Sequence, residues 1–419
     1  MNRQGAVPRA LRGLTLFAGL LLSGSAWTAT MVLVIDDNAD GGFNDSTPVA
    51  PVGGNEGETL GEQRRIALQY AADILGSRID SPLPIRIAAR FVALDCSTNS
   101  ATLAQASPAT FTANFGADRA SSDVFYPVAL ANALRGRRLA NVPNDINASF
   151  NPRLDAGDAE CLRGQRWYYG LNGVGPRPGT SFVSTAVHEL THGLGFVSLV
   201  RLQDTNDSRA GQFPIAQSSG QRFPDVFSTF IQDLSLPGNP RWPALTDEQR
   251  RRSLTNAPNV VWADSLTNSR AMSVLDNGFN QGRLQMYTPG LLASGSSVSH
   301  WDVSLNPDQI MEPFATGDDR VTAGIGLSSC VFENLGWQLI NGVRCPDVGG
   351  PAIAGSQDDT DRDEDTVNDA GATPATRDSD DEGGGGGGCT IAARAAFDPI
   401  WFVLLGIAAL SVGARRRRG

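Results

Sequence analysis

Residues 188–192 read His188-Glu189-Leu190-Thr191-His192 and sit in an apolar setting, with Phe182, Val183, Ala186 and Val187 before them and Leu194 and Phe196 after. Apolar positions at helical spacing predict a buried helix over 182–194, which Ser181 or Ser184 can cap. On such a helix the two histidines, four positions apart, share one face and can ligate one ion. Glu189 stands beside the first histidine, where a carboxylate can take a proton from water. The chain has only three histidines. At this composition the pattern arises by chance in roughly five of ten thousand sequences, so the metal reading outweighs a helix with two satisfied histidines.

A hydrolytic zinc site needs three protein ligands and one open position. The remaining histidine is His300, within Ser299-His300-Trp301-Asp302. Competing carboxylates are Asp204 and Asp207, which follow the motif, and Asp302, which can serve as a ligand or can orient an imidazole.

The stretch from His188 to Ser198 resembles the metzincin metallopeptidases, whose extended motif is His-Glu-x-x-His-x-x-Gly-x-x-His. Gly195 occupies the turn position, but Ser198 stands where that family has its third histidine. The leishmanolysin-like branch carries an insertion before the last histidine, and similarity to it implies His300 as the third ligand. It also implies Met311, in Ile310-Met311-Glu312-Pro313, as a support beneath the imidazoles. Pro224-Asp225-Val226-Phe227 and residues 295–301 are similar to bacterial exported proteins of this type. The likeness is sharp over 181–196 and 295–313 and loose elsewhere. It implies an α+β fold, a mixed sheet with an active-site helix and a C-terminal subdomain. The implied activity is that of a zinc metalloendopeptidase, with a zinc-activated water and Glu189 as general base acting on a protein or peptide substrate. A catalytically silent zinc-binding adhesion protein is the alternative. Tyr287 and Tyr168 are candidates to stabilise the oxyanion.

Outward from the motif, residues 31–35 read as a strand and 59–75 as a helix with Ile66, Ala67, Tyr70, Ala71 and Ile74 on one stripe. Residues 84–94 alternate as a half-buried strand. Helices are expected at 123–134, 247–254 and 326–335, and an edge strand at 145–150, along which an extended substrate can pair.

The ends differ in character. Arginines at 3, 9 and 12, an apolar run over 14–22 and small residues to Ala26 predict a signal peptide at 1–26, since the run is roughly half a bilayer-spanning length. The peptidase domain is expected over 27–347. Export suits the four cysteines Cys96, Cys161, Cys330 and Cys345, which allow three pairings; the short spacing of the last two favours Cys330 with Cys345 and Cys96 with Cys161.

Residues 348–388 form an acidic and glycine-rich segment expected to be a disordered tether. Between Asp358 and Glu382 lie eleven acidic residues and two arginines, net −9 of the chain's −10, so the rest is nearly neutral and no basic nucleic-acid surface is expected. Aspartates at 359, 361, 363 and 365 alternate in the manner of a calcium-binding loop but lack the glycine and distal glutamate of an EF-hand, which leaves Ca2+ a secondary expectation beside Zn2+.

Residues 389–419 run from Cys389-Thr390-Ile391 through Asp398-Pro399 and an apolar helix to four arginines. This tail resembles bacterial C-terminal sorting signals of the JDVT-CTERM type. That implies membrane association before processing, recognition by a sorting enzyme, modification at Cys389, and a final place at the cell envelope or release from it. An ordinary tail anchor is the other reading.

Overall fold

The computed structural model describes residues 28–139, 141–172, 179–202, 208–217, 219–293, 295–315, 324–347 and 389–390. The expected signal peptide, the acidic tether with its aspartate run, the apolar C-terminal segment, Asp204 and Asp207 all lie outside them. Among the described residues no helix is long and apolar enough to cross a membrane.

The architecture is α+β, built on a four-stranded mixed sheet. Its strands are β1 (Met31–Ile35), β2 (Ile85–Phe91), β3 (Ala104–Pro108) and β4 (Ile146–Phe150), in the order β1-β2-β4-β3. β1, β2 and β4 run parallel, and β3 lies antiparallel to β4 with Ala106 opposite Ala148. The expectation for 145–150 is therefore corrected. That strand is internal, and the edges are β1 and β3; the run of small residues in β3, ending in Pro108, carries little strand signal.

Helix α1 (Leu60–Gly76) is fixed at its start by a capping box between Thr59 and Glu62. Its buried face is rotated from the expected stripe. Ala67, Ala71 and Ile74 are inside, but Ile66 is 37% exposed while Arg64 is buried. Arg64 is tolerated there because Asp155 and the Tyr169 hydroxyl pair with its guanidinium, which lies over the Phe91 ring. Helix α2 (Val128–Arg135) is shorter than expected, because Tyr126–Pro127 is extended and Pro127 stands at the N-cap. The short α3 (Arg153–Ala156) follows β4.

The motif helix is α4 (Phe182–Gly193), capped by Ser181, whose hydroxyl accepts from the Ser184 amide. It packs on the sheet through Phe182, which meets Phe150 at 4.7 Å and Trp167 at 5.3 Å between ring centroids. Its last residue must be small: a Cβ on Gly193 would stand 2.4 Å from Cγ2 of Ile146.

Beyond α4 come β5 (Ile231–Asp233), α5 (Asp247–Ser253) and β6 (Val260–Trp262), which pairs antiparallel with β5, then α6 (Ser265–Ala271) and α7 (Ser328–Leu335). Several buried contacts anchor this second part to the first, two of them made by Trp337 and Asp347. The Trp337 indole donates to the Leu194 carbonyl at 3.0 Å, and Arg78 pairs with Asp347 at 2.8 Å. Disulfides join Cys96 to Cys161 and Cys330 to Cys345, the pairing favoured by spacing, and they fit an oxidising compartment. Cys389–Thr390 pairs antiparallel with Phe314–Ala315.

Candidate metal centre

Three chain segments meet at the motif helix. His188 and His192 project from one face of α4, as their spacing requires. His300 arrives 112 and 108 residues later on a segment paired to the strand before it: the Tyr287 amide donates to the His300 carbonyl at 2.9 Å, and Met286 bridges Trp301. The Nε2 atoms of the three rings lie 3.1, 3.2 and 3.2 Å from one another. All three rings are buried, His300 completely.

The opposite ring nitrogens define the protonation state. Nδ1 of His188 faces the Ile310 carbonyl at 2.5 Å, Nδ1 of His192 the Phe196 carbonyl at 2.7 Å, and Nδ1 of His300 the Ser296 carbonyl at 2.8 Å. A carbonyl only accepts, so each Nδ1 carries the proton and each Nε2 is a bare lone pair. Burial reinforces this. It holds His188 and His300 well below the ordinary imidazole range, aided by the neighbouring rings, and lowers His192 to about 4. Three lone pairs converging on one point repel unless a cation lies between them. The triad could therefore hold a metal ion, and among the described residues it is the one His/Cys/Asp/Glu group with that geometry.

Glu189 is 1% exposed, and its Oε1 has no hydrogen-bond partner. Burial raises its carboxyl to about 8, only partly offset by the Ala106 backbone of β3. An orphaned, buried carboxylate oxygen on the residue next to His188 in the motif helix is a candidate proton acceptor.

The turn after the helix bends as expected at Gly195. Its φ is +122°, and a Cβ there would press on Pro127 and Leu335 at 3.0 and 3.1 Å. Met311 is fully buried, directly after the carbonyl that accepts from His188, and its own carbonyl accepts from the Trp301 amide. Asp302 is not part of the cluster. Its carboxylate accepts from the Ser304 amide, and the partner of His300 is the Ser296 carbonyl instead. Tyr168 donates to Asn172, whereas Tyr287 flanks His300 through the backbone.

Sequence reasoning missed the three carbonyls that orient the rings and the adjacency of β3 to Glu189. The first has a partial local signal, since Phe196 and Ser296 each lie four residues from the histidine they serve. The second has none. The chain matches no family model, no curated protein and no solved structure.

Proposed function

We propose that this protein is an exported zinc-dependent endopeptidase of the metzincin kind, with His188, His192 and His300 as ligands and Glu189 as general base. The observation that carries the reading is the convergence of three Nε2 lone pairs, together with an unpartnered, buried oxygen on Glu189, the residue next to His188. Tetrahedral zinc with nitrogen ligands at about 2.0–2.1 Å requires N···N separations of about 3.3 Å, close to the 3.1–3.2 Å found. Three imidazoles without thiolate suit zinc and leave a fourth position open.

When bound, zinc supplies a Lewis acid that polarises the scissile carbonyl and makes water a nucleophile at neutral pH. The chain does the rest. The Ile310, Phe196 and Ser296 carbonyls hold each imidazole in the tautomer that presents Nε2. Glu189 takes the proton of the attacking water on Oε1 and returns it to the leaving amine; a bound zinc ion would favour the ionised carboxylate that burial alone disfavours. The edge strand β3 offers backbone groups for an extended peptide, with Ala106 next to Glu189. Tyr287, whose amide donates to the His300 carbonyl, is the candidate to stabilise developing charge on the carbonyl oxygen.

The test is Glu189→Ala in the full chain. Hydrolysis of casein or gelatin should disappear while bound zinc and the folded state persist. Full activity in that variant would sink the proposal. A wild type that binds zinc and cleaves no protein in a broad panel would point to the adhesion reading.

A further inference from the structure

Ser198 stands where a third ligand would follow the motif in the local spacing, and it is buried with both its backbone and its side chain engaged. Its amide donates to Oγ of Ser299 at 3.1 Å, across 101 residues of sequence, and Ser299 directly precedes His300. Its hydroxyl lies 2.7 Å from that of Ser228 and accepts from the Val200 amide at 3.1 Å.

The Ser228 hydroxyl donates to Oδ2 of Asp225 at 2.7 Å, so its lone pairs must accept from Ser198. Asp225 is wholly buried and takes two more donors, the Leu199 amide on Oδ2 and the Ser228 amide on Oδ1, both at 2.8 Å. No cation pairs with this carboxylate among the described residues; three hydrogen bonds satisfy it. The direction of donation thus runs in one sense from Ser198 through Ser228 to Asp225.

We infer that Asp225 is a positioning residue for the metal centre, acting through Ser228 and Ser198 to hold Ser299 and hence His300 against the motif helix. Ser198 is then the clasp for the remote ligand and no vestige of a lost one. The function of the relay follows from its path. His188 and His192 are preset by one helix, but His300 reaches them on a separate loop. Among the described residues, apolar packing of Trp301 on Phe196, at 5.2 Å between centroids, and this polar chain both bind that loop to the turn after α4. Packing sets depth, whereas directional hydrogen bonds set the rotation of the loop that aims Nε2.

The inference rests on the triad holding a metal, and its readout is metal affinity, not hydrolysis. The full-length protein, stripped by chelator, is titrated with Zn2+ against a competing chelator and, separately, with Co2+ followed by its visible d–d absorption. Asp225→Asn, which keeps the shape but turns a donor toward donors, and Ser299→Ala should each weaken zinc binding about 10- to 100-fold and alter the cobalt spectrum. Asp233→Asn removes a buried carboxylate held by Ser235, Ser253 and Asn256, outside the relay. It should bind zinc as wild type does. Wild-type affinity in both relay variants, or an equal loss in the Asp233 control, overturns the inference. If Asp225→Asn does not fold, Ser299→Ala decides alone. A wild type that binds no zinc overturns both this inference and the peptidase reading. Wild-type zinc binding without any peptide cleavage overturns the peptidase reading only.

Discussion

Replacing Glu189 by glutamine probes the buried carboxyl apart from catalysis. Glutamine keeps the shape and cannot ionise. In the metal-free protein burial raises the Glu189 carboxyl from 4.5 to about 8. At about 1.4 kcal/mol per tenfold change in a protonation equilibrium, the charge that Glu189 would carry when unfolded costs the fold about 2 kcal/mol near pH 6 and about 4 kcal/mol near pH 8. The sign follows from a raised folded value: this group's contribution is fully present below about pH 4.5 and is lost as pH rises through about 8. Urea unfolding of chelator-treated wild type and Glu189→Gln should therefore show the variant gaining on wild type by roughly 2 kcal/mol between about pH 6 and about pH 8. Any cost of turning the new amide toward the Ala106 backbone is the same at every pH and drops out of that difference. A gap that stays constant, or narrows as pH rises, would refute the claim that Glu189 is buried without a compensating partner.

Other expectations follow from the same geometry. His300→Ala should leave the motif helix intact by circular dichroism but reduce bound metal far below about one ion per chain, since two imidazoles do not complete the site; undiminished metal content would overturn the ligand assignment. Gly195→Ala should destabilise the protein by about 2 kcal/mol, because φ of +122° strains any side chain and a Cβ would push on Pro127 and Leu335 at 3.0 and 3.1 Å; an unchanged melting temperature would contradict this. Replacing Cys330 and Cys345 by serine opens a loop of 15 residues and should lower unfolding free energy by about 3 kcal/mol. The Cys96 and Cys161 bridge, spanning 65 residues, should be worth about 4 kcal/mol on the same measurement.

Much of the centre was legible without coordinates because its core is local. Helical period alone puts His188 and His192 on one face, Ser181 caps the helix that carries them, and Gly195 marks the turn that ends it. The chain's few histidines left His300 as the natural candidate for a third ligand, and cysteine spacing pointed to the disulfide pairing. Those are properties of neighbouring residues or of simple counts.

What only the tertiary structure decided depends on contacts across long separations, which no periodicity encodes. The sheet order put residues 145–150 inside, with Met31–Ile35 and Ala104–Pro108 at the edges, because strand adjacency is settled by packing against α1 and α4 and not by strand composition. Arg64 went inside and Ile66 outside, since a guanidinium with Asp155, Tyr169 and Phe91 around it can be buried where an isolated one cannot. Asp302 was excluded from the site by a hydrogen bond to its own loop. The return of His300 across more than a hundred residues is made by Tyr287, Ser299, Ser198 and Trp301, each ordinary in sequence and decisive only once the chain has folded them together.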